Sequence, residues 1–325
     1  MADRVRITDV SPRDGLQNER GVVPTQEKAR LIAMLADVGV DEIEATSFVS
    51  AKWVPQLGDA EEVLGLVREG FRAAQRPADR HPGAEGGRPV ISALVPNDKG
   101  FERARAFHDP GGGFPLKIAV FTAASETFSK RNTNATIDET LERFSAFLPR
   151  AFEMGMAVRM YVSCAVACPF EGPIAPREVR RVVDALRALV PDGHEAEIDL
   201  GDTIGVAHPD DIDALLHEFD DREIGALTLH LHDTFGRARL CVIRALERGV
   251  RSFDGALAGL GGCPYAGTRD APAPGNVATR VVVGAAHELG FTTGVDLDAL
   301  AHAASFARDT VRAARERDAD PEEPT

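Results

Sequence analysis

The chain has 325 residues, of which 44% are hydrophobic and 27% are charged, proportions typical of a soluble globular protein with a large core. Its formal net charge of −14 at pH 7 disfavours nucleic acids and anionic membranes as partners, because both bind a basic protein face. No apolar run approaches the roughly 20 residues that a membrane helix needs, and the first residues lack the apolar core of a signal peptide.

Eight short apolar or β-branched runs recur along the chain, each separated from the next by room for one helix. They span residues 5–10, 41–47, 89–95, 116–122, 158–164, 197–202, 227–232 and 253–259. This spacing is typical of repeated βα units and a parallel sheet. Amphipathic stretches between the runs, at 27–38, 138–154, 176–190 and 209–219, have apolar residues at helical spacing.

Eight strand–helix pairs predict an α/β fold of the closed (β/α)8 TIM-barrel type. A doubly wound sheet is the rival architecture, but it usually has fewer strands and a Gly-x-Gly-x-x-Gly first turn. Here the first turn reads Ser-Pro-Arg-Asp-Gly. We expect one catalytic barrel domain over residues 1–316, including an extra C-terminal helix at 297–316, and a disordered acidic tail at 317–325. Segments 73–88 and 109–115 are predicted surface loops.

The predicted carboxyl ends of the strands carry polar residues, and barrel enzymes place their reactive groups at these ends. His230 and His232 stand two positions apart on one strand, so their side chains project to the same side. With Asp14 after the first strand and Asp202 at the end of the sixth, they favour a divalent cation site. Mg or Mn is favoured over zinc, whose usual thiolate spacing is absent. Alternatively, the histidines are hydrogen-bonded core or rim residues.

Arg13 and Glu44 are predicted to form an ion pair at this end of the barrel. Glu44 lies within an otherwise apolar strand, where an unpartnered carboxylate would be strongly unfavourable. In a short turn at the barrel mouth, Arg13 could polarise a carbonyl group and stabilise an enolate. A surface ion pair between Arg13 and Asp14 is the alternative.

The four cysteines form no Cys-x-x-Cys pair and show no disulfide spacing, which favours a reducing compartment and a cytoplasmic protein. Cys263 follows two glycines, which can hold a thiol at the tip of a mobile loop. A thiol with a reference pKa of about 8.5 keeps its proton at neutral pH and gives it up to a carbanion-like centre. Cys241 and Cys168 fit a filler role better, and Cys164 is intermediate.

Six stretches, in order along the chain, resemble the 3-hydroxy-3-methylglutaryl-CoA lyase family. They are 9–19 (DVSPRDGLQNE), 44–50 (EATSFVS), 161–164 (YVSC), 201–206 (GDTIGV), 230–236 (HLHDTFG) and 259–266 (GLGGCPYA). The loop that contains Cys263 is the most specific, because related synthases and carboxyltransferases share the barrel and the His-x-His pair but not that loop.

The resemblance implies a TIM-barrel lyase that uses Mg or Mn to split an acyl-CoA substrate into acetyl-CoA and acetoacetate, and it suggests a homodimer. It implies Asp14, His230, His232 and Asn276 as metal ligands. It also implies that four residues act on the substrate, with Asp202 as the candidate base or proton relay. The four are Arg13, Glu44, Asp202 and Cys263.

Two departures from the family pattern leave the acyl group open. Cys263 and Asn276 are thirteen positions apart, which is longer than the usual family spacing. Arg280 stands where the family has an acidic residue. The alternatives are a lyase for a related thioester, such as citramalyl-CoA or a longer 3-substituted 3-hydroxyglutaryl-CoA, a Claisen-type synthase, and a non-catalytic scaffold.

Overall fold

A computed structural model describes residues 3–74, 88–261 and 275–319 of the chain. Eight parallel strands pair in chain order and close into a barrel, which confirms the predicted fold class. The strands are β1 (Arg6–Asp9), β2 (Glu42–Ser47), β3 (Val90–Leu94), β4 (Leu116–Ala123), β5 (Val158–Ser163), β6 (Glu197–Asp202), β7 (Leu227–Leu231) and β8 (Ser252–Gly255). Most of their residues are buried, because the outer side packs on helices and the inner side fills the barrel.

Helices surround the barrel, and the main apolar core lies between the two layers. The helices are α1 (Thr25–Val38), α2 (Ala60–Ala73), α3 (Asp98–Ala104), α4 (Glu126–Thr133), α5 (Ile137–Ser145), α6 (Leu148–Glu153), α7 (Pro176–Arg187), α8 (Pro209–Leu216), α9 (Asp221–Ala226), α10 (Ala238–Glu247), α11 (Thr279–Glu288) and α12 (Leu297–Ala319). Within the described ranges, none of these helices has both the length and the apolar character of a membrane span.

Three element boundaries differ from the sequence prediction. The helix expected over 138–154 is two helices, α5 and α6, and Pro149 stands in the first turn of the second, where a proline is tolerated. Strand β8 ends at Gly255, because the chain then turns through a short 3-10 helix, Leu257–Gly259. Helix α12 continues to Ala319 rather than 316. A two-stranded hairpin, Ala167–Cys168 with Gly172–Pro173, was not predicted.

The C-terminal helix α12 completes the helical layer by packing beside α1. Val311 and Ala314 on α12 form a small apolar cluster with Leu16 and Val23, which follow the first strand. The end of α1 is tied to the segment before α12, where the backbone N–H of Asp296 donates to the carbonyl of Val38 at 2.9 Å. The last helix therefore packs against the other helices of the barrel.

The inside of the barrel is polar and charged. The guanidinium of Arg159 on β5 donates to Thr8 of β1 at 2.8 Å and to Asp254 of β8 at 2.8 Å. Lys117 on β4 donates to Glu42 of β2 at 2.7 Å and also contacts Glu197 of β6. Bonds between strands that are not neighbours can form only across the barrel interior, so these side chains occupy its centre.

Candidate metal centre

A tight turn after β1 places Arg13 and Asp14 at the carboxyl end of the barrel. The π-helical turn Ser11–Gly15 forms because the backbone N–H groups of Arg13 and Gly15 both donate to the carbonyl of Val10, at 3.2 and 3.0 Å. The hydroxyl of Ser11 accepts a hydrogen bond of 2.6 Å from the backbone N–H of Leu257, which fixes the turn to the segment after β8. Arg13 is buried and Asp14 is partly buried.

The two histidines of the His-x-His pair meet Asp14 at this end of the barrel. Nε2 of His230 lies 3.2 Å from Nε2 of His232 and 4.0 Å from Oδ2 of Asp14. One ligand atom from each of the three residues lies within 4.8 Å of the others. The structure therefore brings together the three residues that the sequence predicted as metal ligands.

The outer nitrogens of both imidazole rings have hydrogen-bond partners. Nδ1 of His232 lies 2.7 Å from the carbonyl oxygen of Thr203 and must donate, because a carbonyl only accepts. Nδ1 of His230 lies 3.0 Å from Oδ2 of Asp254 and donates to that carboxylate. In the neutral rings, both Nε2 atoms then carry lone pairs that face each other. Only a bridging proton or a cation makes such a pair favourable, so the donor set fits a divalent metal.

The pKa values support a negative charge on Asp14 and a neutral His232. Burial by itself raises the pKa of Asp14, but the charges of Arg13 and both histidines outweigh it and hold this pKa well below its usual value. Burial, together with the charge of His230, lowers the pKa of His232 to about 4. An anionic carboxylate and an unprotonated imidazole are the forms that bind a cation.

Asn276 lies beside this cluster. Its Nδ2 donates to Oδ2 of Asp14 at 2.8 Å and to the carbonyl of Leu260 at 3.0 Å. Its backbone bridges to His232, so a segment after residue 274 crosses the end of β7. The family resemblance implied Asn276 as a further ligand, and its side chain hydrogen-bonds both Asp14 and His232.

Arg13 and Glu44 form the ion pair that the sequence predicted. Nε of Arg13 donates to Oε2 of Glu44 at 2.6 Å, while Nη1 donates to Oδ1 of Asp14 at 2.6 Å. The phenol of Tyr161 also lies 3.4 Å from Oε2 of Glu44. Burial raises the pKa of Glu44, and its Oε1 has no partner among the described residues. The guanidinium of Arg13 thus joins the buried carboxyl group of Glu44 to Asp14.

Asp202 lies at the predicted strand end, but its contacts are with its own loop. Its carboxylate accepts the backbone N–H groups of Val206 and Ala207 at 3.2 and 2.9 Å. Burial raises its pKa to about 6. Among the described residues, no hydrogen bond joins it to Asp14 or the histidines. The next residue, Thr203, does contact the cluster, because its backbone carbonyl accepts the proton of His232 Nδ1.

Cys263 lies outside the described residues, as does the loop around it. The other three cysteines are buried. Burial raises the pKa of the Cys241 thiol on α10 to about 12, which fits a filler role. Cys164 follows β5 and has a φ of 58°, an unusual conformation for a residue other than glycine. Arg280 is exposed on the first turn of α11.

The sequence analysis did not predict the charged residues beneath the cluster. Asp254, Arg159 and Glu197 are polar residues in strands that were interpreted only as apolar runs. The signal was present as pairs of polar residues two positions apart, such as Glu42 with Glu44 and Glu197 with Asp199. Such a period places both members on the same side of a strand, and the structure shows that this side faces the barrel interior.

Comparisons with known proteins agree with this architecture. Residues 4–307 match the HMGL-like family model. Over 307 residues the chain is 43% identical to the protein named hydroxymethylglutaryl-CoA lyase, mitochondrial, of Bos taurus, with 93% of this chain and 84% of that protein covered. It is 42% identical over 308 residues to 3-hydroxy-3-methylglutaryl-CoA lyase, cytoplasmic, of Rattus norvegicus, with 94% and 81% covered.

A solved structure shows the same similarity in three dimensions. The crystal structure of the HMG-CoA lyase from Brucella melitensis superposes with a TM-score of 0.81 at 44% sequence identity. The match covers 96% of this chain and 100% of that one. This chain belongs to the HMGL-like family.

Proposed function

We propose that the protein is a carbon–carbon lyase that cleaves 3-hydroxy-3-methylglutaryl-CoA into acetyl-CoA and acetoacetate. The observation that carries the proposal is the cluster of Asp14, His230 and His232 at the barrel mouth, with Arg13 bonded to it. Relatives that are 42–43% identical over almost the whole chain are named for this activity. The cluster supplies the metal ligands and the guanidinium that such a cleavage needs.

We propose that Asp14, His230, His232 and Asn276 hold a divalent cation. Two imidazoles with carboxylate and amide oxygens form the mixed N/O donor set that suits Mg or Mn. When bound, the cation orients the oxygens of the substrate and lowers the pKa of its tertiary hydroxyl group. We propose that this cation is Mg or Mn.

In the reaction, a base removes the proton of the tertiary hydroxyl group. The alkoxide becomes the ketone of acetoacetate as the carbon–carbon bond breaks, and the electron pair of that bond leaves on acetyl-CoA as an enolate. The guanidinium of Arg13, held by Glu44, stabilises the enolate oxygen. Cys263 gives the proton that completes acetyl-CoA, and Asp202 is the proposed base or relay.

The exposed position of Arg280 bears on the choice of acyl group. A side chain that points to solvent on the first turn of α11 does not place a reversed charge among Asp14, His230 and His232. The observation supports the methylglutaryl substrate over citramalyl-CoA or a longer analogue. The cytoplasm and a homodimer are proposed as the compartment and assembly, and relatives named cytoplasmic and mitochondrial both occur.

The test is a panel of acyl-CoA thioesters incubated with the full chain and Mn, with acetyl-CoA release followed by mass spectrometry. We expect the highest kcat/KM with 3-hydroxy-3-methylglutaryl-CoA. C263A should lower turnover by roughly 10² to 10⁴, whereas C241A, the matched change in a buried cysteine of α10, should not.

A higher kcat/KM with another thioester would show that this thioester, and not 3-hydroxy-3-methylglutaryl-CoA, is the substrate. Consumption of acetyl-CoA with a 2-oxo acid would indicate a synthase, and no turnover at all would contradict an enzymatic role.

A further inference from the structure

One buried carboxylate, Asp254, connects the proposed metal ligand His230 to the charged centre of the barrel. It lies on β8, beside β7, and only 2% of its surface is exposed. Its two oxygens have different partners. Oδ2 accepts from Nδ1 of His230 at 3.0 Å and from the phenol of Tyr161 at 3.3 Å, and Oδ1 accepts from Nη1 of Arg159 at 2.8 Å.

Arg159 holds Asp254 in a fixed orientation. Its Nη2 donates to Thr8 of β1 at 2.8 Å and to Glu197 of β6 at 2.7 Å, so the guanidinium is anchored to three strands besides its own. Arg159 is fully buried, and a guanidinium can only donate hydrogen bonds. Whatever atom of residue 254 faces Arg159 must therefore be an acceptor.

We propose that Asp254 is a positioning residue for His230: it keeps the ring proton on Nδ1 and directs the lone pair of Nε2 toward Asp14 and His232. The inference rests on the proposed metal-dependent function. Metal-binding histidines commonly donate their other ring N–H to a carboxylate or a carbonyl group, and that partner sets the tautomer. His232 uses the carbonyl of Thr203 in this way. His230 depends on the carboxylate of Asp254.

The geometry makes a specific prediction for D254N. An amide has one acceptor and one donor end, and Arg159 requires the acceptor end. The NH₂ group of the asparagine would then face Nδ1 of His230, where two donors conflict. His230 relieves the conflict by moving its proton to Nε2, which removes the lone pair that binds the metal.

The matched control is D199N. Asp199 on β6 is as buried as Asp254, contacts Nη1 of Arg159 at 3.4 Å and hydrogen-bonds Asp254 itself, but it has no hydrogen bond to His230. Mn²⁺ binding to the metal-free full chain is measured by titration calorimetry. We expect D254N to weaken binding by about 10- to 100-fold and D199N to keep an affinity close to wild type. Circular dichroism of both metal-free variants checks that they fold.

A second measurement reads the position of the ring proton of His230 directly. The ¹⁵N signals of the histidine rings in the metal-free wild-type protein at pH 8, assigned with H230Q, should show His230 with its proton on Nδ1. In D254N the proton should be on Nε2, a change that loss of stability alone does not produce. A wild-type ring protonated on Nε2, or equal Mn²⁺ affinity in D254N and D199N, would overturn the inference. Failure of the wild type to release acetyl-CoA would overturn the proposed function instead.

Discussion

The two carboxyl groups that bind Arg13 have opposite pKa shifts. Burial raises the pKa of Glu44, and the charge of Arg13 does not fully offset it. Asp14 is less enclosed and adjoins both histidines, so its pKa is held low. The same guanidinium therefore serves an anionic metal ligand on one side and a buried partner on the other. Arg13 is thereby held in place with its positive charge directed at the mouth of the barrel.

The pH dependence of turnover tests the role of Asp202. If Asp202 takes the hydroxyl proton, kcat/KM should fall as the pH is lowered through about 6, the value to which burial raises its pKa. D202N should then lower the rate by roughly 10² to 10⁴, and the fall in kcat/KM near pH 6 should disappear. If Asp202 only stabilises its own loop, D202N should slow the enzyme, but kcat/KM should still fall near pH 6. The pH profile of kcat/KM measures both.

Asp9 supplies the control, because burial also raises its pKa to about 6. If the fall in kcat/KM at low pH disappears in D9N but remains in D202N, the titrating group is Asp9. Asp9 accepts a hydrogen bond from the backbone N–H of Ser11, which begins the turn that contains Asp14. For stability the sign is the same for both groups. Their folded pKa values lie above the ordinary aspartate value of about 3.9, so the stability they contribute is present below about pH 4 and is lost as the pH rises through about 6.

At the scale of elements, a glycine in the left-handed conformation follows each of the helices α1 and α6. Gly39 ends α1 with a φ of 85°, and a Cβ there would lie 2.4 Å from the carbonyl oxygen of Gly294. Gly155 follows α6 with a φ of 73°, and a Cβ there would meet nothing within 4 Å. Both positions have the left-handed conformation, but only Gly39 is pressed against another segment.

G39A should therefore destabilise the protein more than G155A. The left-handed conformation alone costs about 1–2 kcal/mol for an alanine, which is the whole expected effect of G155A. G39A must also displace the backbone that leads into α12, which adds roughly 1–3 kcal/mol. Urea unfolding followed by circular dichroism compares the two. Equal losses would show that the contact with Gly294 relaxes without cost.

At the scale of the whole molecule, two different cores hold the barrel. The core between strands and helices is apolar, whereas the centre of the barrel contains crossed ion pairs such as Arg159 with Asp254 and Lys117 with Glu42. These bonds join strands that are not neighbours in the sheet. The proposed metal ligand His230 is bonded to one of these pairs through Asp254, so we expect metal binding to be coupled to the folded barrel.

Metal should therefore raise the thermal stability of the whole chain. A ligand that binds only the folded state at 100 times its Kd stabilises that state by about 2.7 kcal/mol. We expect Mn²⁺ to raise the Tm measured by differential scanning calorimetry and EDTA to reverse the change. H232A, which removes one ligand, should show little response. A shift of the same size in H232A would place the binding outside this cluster.

The sequence by itself determined the repeated strand and helix units and the pairing of side chains along one strand. Apolar runs and helical spacing are local properties, and the two-residue period of a strand places His230 and His232 on one side whatever the fold. The same reasoning identified Glu44 as a buried carboxyl group that needed a cation. The split of the helix at 138–154 and the short β8 depended on local detail that an apolar pattern does not carry.

Only the tertiary structure decided which side chains meet across the barrel. Closure of the sheet brings Arg159 of β5 to Asp254 of β8, residues 95 positions apart, and nothing in the sequence selects this pair among the many possible pairs of opposite charge. It also turned Asp202 toward its own loop and brought Asn276 beside Asp14. Local periodicity sets the face on which a residue lies, whereas the residue opposite that face depends on strand order and closure.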